Sequence, residues 1–255
     1  MAVDLTFNAD RTRASIVFAH LPGNLLTAEV VGKLRGAIAA TMGQHHLKLL
    51  TIEGAGPDFS FGASIPEHAL DRIGPVLTDT HALLYDVIAA PVVTAAIVRG
   101  RCLGGGFELA LACDFIFAED TAVFGLPEIA IGVFPPAGAV LLPKRVGAAR
   151  ATSTVLTGAS RSAVEWSADG LIEHVSPAAE LVDLVNEWFA RTLAPRSAEA
   201  LRHAVRAARH SLAEDVGREL PAVEQLYLKE LMRSHDASEG IQAFLDKRAP
   251  RWKDR

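Results

Sequence analysis

Gly104-Gly105-Gly106 joins an apolar, β-branched run to an apolar helix, and this junction restricts the fold more than any other segment. The run before it, residues 91–98 (PVVTAAIV), is apolar at nearly every position and reads as a strand buried on both faces. After the glycines, Phe107, Glu108, Leu109, Leu111 and Ala112 continue as a helix. A strand that feeds directly into a helix is the building step of an α/β domain. The three glycines leave backbone N–H groups unscreened, and the positive end of the helix dipole points the same way. Such a corner holds a phosphate or a developing oxyanion, or it is only a tight turn that needs close packing.

The rest of the first half repeats the pattern. Residues 14–19 (ASIVFA), 47–52 (LKLLTI), 114–118 (DFIFA) and 122–124 read as strands. Thr27 caps a predicted helix whose apolar face is Val30, Val31, Leu34, Ile38 and Met42. A second helix is predicted over 75–88, with Leu77, Leu84 and Ile88 on one side. From Val146 onward the pattern is mostly helical: 177–193, 197–213, 220–233 and 238–248, with one strand at 171–175. Ser162 and Glu165 have capping-box spacing. The organisation expected is an α/β core over 1–195 and a helical C-terminal segment over 196–255, with no repeat of fixed period.

Composition narrows the function classes. Half of the 255 residues are apolar and 22% are charged, which excludes a disordered chain. The net charge of −5 lacks the basic excess of a nucleic-acid binder. Charges at Glu108, Asp114 and Glu119 interrupt the apolar stretches, so no membrane span is expected. The N-terminal MAVDLTFNAD has no basic region followed by an apolar one, and a cytoplasmic location is expected. Cys102 and Cys113 make no disulfide framework and read as small buried residues. His45-His46 lack metal-ligand spacing, so no metal is expected, and Trp166, Trp188 and Trp252 read as packing.

The glycine turn fails two phosphate-loop patterns. A Walker loop needs Lys-Ser/Thr where Gly106-Phe107 stands, and a dinucleotide fingerprint needs Gly or Ala where Leu109 stands. What distinguishes the segment is Glu108 among apolar neighbours, with Glu128 twenty residues on, before Ile129, Ala130 and Ile131. Carboxylates in apolar surroundings are costly unless paired, hydrogen-bonded or protonated. Brought together, one has its pKa raised and acts as acid while the other acts as base. The alternative is two unrelated glutamates, one exposed on a helix and one capping another. Upstream, residues 58–68 (DFSFGASIPEH) form a second glycine turn, where Ser64 and Glu67 predict a capped helix start and a further oxyanion donor. His68 lies beside it, as a pocket-lining or a surface residue.

Together these segments resemble the crotonase, or enoyl-CoA hydratase/isomerase, superfamily. FSFGASI resembles its first oxyanion-hole loop, CLGGGFELALACDF its second loop and helix, and FGLPEIAIGVFPPAG the segment of its second glutamate. Within it, FSFGASIPEH, RCLGGGFELA, PEIAIGVFPPA and the C-terminal LYLKELMRSHDASEGIQAFLDKRAPRW most resemble the cyclohexa-1,5-diene-1-carbonyl-CoA hydratases of benzoyl-CoA breakdown. The resemblance implies a spiral of ββα units with a helical C-terminal region, assembled as a homotrimer or homohexamer. It implies an acyl-CoA thioester substrate and no cofactor beyond the CoA of that substrate. By position, Ala63 and Gly105 match the oxyanion-hole amides, and Glu108 and Glu128 the two hydratase glutamates. Ala63, Ser64 and Ile65 match the loop that binds CoA, and Phe244 and Lys247 a C-terminal pair that reaches it. Ser64, Leu126 and residues 135–139 (PPAGA) depart from the common pattern, which implies a reshaped acyl pocket. A linear 2-enoyl-CoA hydratase, an isomerase using one carboxylate and a non-catalytic CoA-binding paralogue are the competing expectations.

Overall fold

The computed structural model describes residues 2–68 and 73–255, without the side chain of His68. In chain order the elements are β1 (Ala2–Phe7), β2 (Arg13–Ala19), α1 (Ala28–Ala39), β3 (Leu49–Gly54), α2 (Ile73–Ala89), β4 (Val93–Val98), β5 (Arg101–Leu103), α3 (Gly105–Ala112), β6 (Phe115–Glu119) and β7 (Val123–Gly125). There follow α4 (Pro136–Val146), α5 (Ala148–Thr157), β8 (Arg161–Ser162), α6 (Ala163–Ala168), β9 (His174–Ser176), α7 (Leu181–Thr192), α8 (Ala198–Lys229) and α9 (His235–Leu245).

The strands form a six-stranded sheet, ordered β1-β2-β3-β4-β6-β9, and a three-stranded sheet, β5-β7-β8. Only β1 runs antiparallel in the larger sheet. The uninterrupted apolar run of β4 has a plain cause. Its Ala96 and Val98 enter the main core with α1, α2 and α3, while Val93, Ala95 and Ile97 face the second core under α7 and α8.

Three successive turns of chain stack on one another. β4–β5–α3 and β6–β7–α4 each place one strand in the large sheet, one in the small sheet, and then a helix. β3 leads to the same arrangement, with a single bridge from Ser60 to Cys102 standing in for a small-sheet strand before α2. The spacing from strand to strand is uneven, which hides this repeat from a search for a fixed period.

Several sequence expectations shift. The two helices expected at 197–213 and 220–233 are one, α8, which passes through Gly217 and Pro221 and ends in a 3-10 turn at Leu231–Arg233. The last helix starts earlier than 238, at His235, because Ser234 accepts the Ala237 N–H as its cap. The late strand is three residues, His174–Ser176, rather than 171–175. The Thr27 cap and the Ser162–Glu165 capping box form as expected. Ser64 and Glu67 open only a 3-10 turn, Ile65–His68, and the Glu67 carboxylate instead accepts the N–H of Ala28, the first residue of α1, at 3.0 Å. A helix N-terminus attracts a nearby carboxylate, and α1 offers the longer dipole.

α8 is anchored to the sheet by Arg209. Its guanidinium donates to the carbonyls of Ile88 (2.9 Å), Ala90 (2.7 Å) and Val92 (2.8 Å), and Nε donates to Asp114 at 2.6 Å. It thereby satisfies carbonyls left open at the end of α2. Among the described residues no helix is long and apolar enough to cross a membrane.

Candidate active site

The stacked turns bring distant residues together by register. Ser60 bridges Cys102, and Leu103 pairs with Gly125. Two or three residues beyond each pairing the chain leaves the small sheet, at Gly62-Ala63, Gly104-Gly105 and Pro127-Glu128. Gly62 and Gly104 take positive φ values of +95° and +50° at these exits. A Cβ on Gly62 would stand 3.2 Å from the Gly105 nitrogen, and one on Gly105 would stand 3.5 Å from the Ala63 nitrogen. The two amides expected to act together therefore lie side by side, and Gly105 opens α3, where an N–H has no intrahelical acceptor.

Glu108 and Glu128 face the same cavity, of about 610 Å³. Its walls include Leu25, Ile73, Leu77, Val133, Phe134 and Tyr227, and it also meets Ala63, Gly105 and Ile65. Glu108 is 5% exposed, and its Oε1 accepts the Gly138 N–H at 2.7 Å. The Glu128 carboxyl lies over Gly104, where a Cβ would stand 2.6 Å from Oε1. Its Oε2 is sealed from solvent without a hydrogen-bond partner among the described residues.

Burial raises both acids, and their other neighbours set them apart. It pushes Glu128 up to about 8, and the charge of Glu108 pushes in the same direction. Burial also raises Glu108, but nearby His81 and the amides of Gly138 and Ala137 oppose that. Gly138 lies in the first turn of α4, so a helix N-terminus faces the Glu108 carboxylate. These contacts favour the negative charge on Glu108 and the proton on Glu128.

Gly104→Ala is expected to leave a folded protein with at least about tenfold lower activity. The new methyl strains a positive φ and displaces Glu128. Circular dichroism beside a rate measurement checks it, and wild-type turnover would show that the Glu128 position is not critical.

Other expected site residues are placed unevenly. Phe244 lines the mouth of the cavity, half-exposed, together with Arg248 and Pro250. Lys247 and Ser64 are not on its wall. The side chain of His68 lies outside the described residues. His45 and His46 are exposed, and among the described residues no group of three or more His, Cys, Asp or Glu could hold a metal. Cys102 and Cys113 are buried, with thiols pushed up by burial, Cys113 to about 12, as fits inert core residues. Trp166 packs on Phe107, and Trp188 on Phe115 and Phe117. Sequence reasoning missed the Gly138 amide and Tyr227. Pro135-Pro136 before small residues is a helix-start signal that pointed to the first. Tyr227 carried no signal.

The family model for enoyl-CoA hydratase/isomerase matches residues 14–255. The chain belongs to this family. Its fold is the crotonase spiral: an enoyl-CoA hydratase from Mycobacterium avium subsp. paratuberculosis superposes with a TM-score of 0.86 at 29% identity, over 99% of this chain and 98% of that one. The cyclohexa-1,5-dienecarbonyl-CoA hydratase of Thauera aromatica is 41% identical over 93% of this chain and 91% of its own length. The 2,3-dehydroadipyl-CoA hydratase of Escherichia coli is 34% identical over 98% and 94%. The chain is a hydro-lyase of the enoyl-CoA hydratase type, and an acyl-CoA substrate is consistent with the family.

Proposed function

We propose that this enzyme hydrates a conjugated cyclic dienoyl-CoA, converting cyclohexa-1,5-diene-1-carbonyl-CoA to 6-hydroxycyclohex-1-ene-1-carbonyl-CoA in anaerobic benzoyl-CoA degradation. The observation that carries this reading is one apolar cavity holding two carboxyls beside two adjacent amides. The relative from Thauera aromatica supports the cyclic substrate.

In this reading the Ala63 and Gly105 N–H groups form the oxyanion hole for the thioester oxygen. As water adds, the π bond opens and charge gathers on that oxygen. Loss of one such donor typically costs about 3–4 kcal/mol of transition-state stabilisation. Glu108, ionised, takes a proton from water as its oxygen bonds to carbon. Glu128, protonated, gives its proton to another carbon of the conjugated system. CoA lies along Ala63, Ser64 and Ile65, with Phe244 and Lys247 as further contacts. The assembly is a homotrimer or homohexamer in the cytoplasm, with no cofactor beyond the CoA thioester.

The rate follows from these protonation states. It falls as pH rises through about 8, where Glu128 loses its proton. It falls on the acid side as Glu108 gains one, above the ordinary carboxylate range. A kcat/KM profile checks both limbs, and a rate still flat at pH 9.5 would rule out Glu128 as the acid.

A spectrophotometric assay comparing cyclohexa-1,5-diene-1-carbonyl-CoA with crotonyl-CoA tests the substrate. Preference for the cyclic diene supports the reading. Preference for crotonyl-CoA favours a linear 2-enoyl-CoA hydratase, the second reading, which the 34% identity to the 2,3-dehydroadipyl-CoA hydratase supports. Activity on neither overturns both.

A further inference from the structure

We propose that the Tyr227 hydroxyl orients the reacting oxygen between Glu108 and Glu128, as water in hydration and as the product hydroxyl in dehydration. This rests on the hydratase reading and deepens it.

Tyr227 comes from the last turn of α8, far along the chain from both glycine loops, yet it lines the cavity that holds both glutamates. It is 2% exposed, and its ring packs edge-to-face on Phe134 at 5.3 Å between centroids. Among the described cavity-lining residues, only Thr80, Tyr227 and Arg248 carry side-chain donors other than carboxyls. The Thr80 hydroxyl is turned away and donates to the Val76 carbonyl at 2.8 Å. Arg248 is held by Glu239, Nη1 to Oε1 at 2.6 Å, on the C-terminal segment with Phe244. Tyr227 thus remains as the side-chain donor on the wall of the cavity that holds both acids, and its hydroxyl enters no hydrogen bond among the described residues.

Burial raises the phenol above its ordinary value, and the charges of Glu128 and then Glu108 raise it further. The group lies within the field of both carboxyls and stays protonated at every working pH. It therefore donates a hydrogen bond and never serves as a base.

A water molecule has two O–H bonds and two lone pairs. Glu108 accepts one O–H. A donor on one lone pair leaves the other aimed at the substrate, which is an orienting effect. In the reverse direction the same donor steadies the departing hydroxide. The phenol keeps its proton throughout: water's proton goes to Glu108, and that of Glu128 goes to carbon.

Tyr227→Phe keeps the ring and its contact with Phe134 and removes only the hydroxyl. The experiment measures kcat and KM in both directions, together with the inhibition constant of cyclohexane-1-carbonyl-CoA, which has neither alkene nor hydroxyl. We expect kcat to fall about tenfold or more both ways while the inhibition constant changes less than about twofold. An unchanged kcat overturns the proposal, as does an inhibition constant that weakens in step with kcat, since that is lost packing. Wild-type enzyme that hydrates neither the cyclic diene nor crotonyl-CoA overturns the hydratase reading and this proposal with it. Active wild type beside an equally active Tyr227→Phe overturns the tyrosine's role alone.

Discussion

Glu128→Gln is expected to lower kcat for hydration by more than about 100-fold while the protein stays folded. The amide has nearly the shape of the acid but cannot hand a proton to carbon. Glu108→Gln is expected to do the same, because the amide cannot take a proton from water. Glu128 also affects stability. Its pKa is raised in the folded state, so its contribution is complete below the unfolded value and is lost as pH rises through about 8. Above pH 8 Glu128→Gln should therefore resist denaturant at least as well as wild type. Paired kinetic and urea-unfolding measurements check both halves. Near-normal turnover by either variant would end the two-carboxyl mechanism, and marked destabilisation of Glu128→Gln at pH 8.5 would contradict its electrostatic assignment.

Arg209→Met should cost about 3–5 kcal/mol of stability. The substitution preserves most of the volume but takes the guanidinium donor from four buried carbonyls and breaks the ion pair with Asp114, which among the described residues keeps only Thr94 as a donor. This residue ties α8 to β4, β6 and the end of α2. α8 also delivers Tyr227 to the cavity, so activity should fall with stability. Denaturant unfolding of the single variant and of Arg209→Met with Asp114→Asn checks the cause. The double variant should recover part of the loss because the uncompensated charge is gone. A single variant as stable as wild type would mean that the apolar face of α8 docks it unaided.

Legibility followed the range of the interactions. The Thr27 cap, the Ser162–Glu165 box and the glycine turns were readable because each is closed within a few residues. β5 has only three residues, and its place in the small sheet depends on β7, twenty-two positions later. Residues 197–213 and 220–233 read as two helices, but α8 runs unbroken from Ala198 to Lys229 through Gly217 and Pro221 while packed on the core, and tertiary contact outweighs local propensity. Glu67 looked like half of a capping box, but a better partner lay across the fold at Ala28.

The candidate site divides along the same line. The sequence alone determined that Glu108 and Glu128 sit in apolar segments beside glycine turns, because apolar runs, turns and charges are local chemistry. Only the tertiary structure decided how differently the surroundings of the two acids favour a proton. That depends on the Gly138 amide at the start of α4 and on the closeness of the two acids. It also decided that Tyr227 reaches the same cavity. A pKa and a cavity wall are set by what surrounds a group in space, and here those neighbours come from turns of the spiral far apart in the chain.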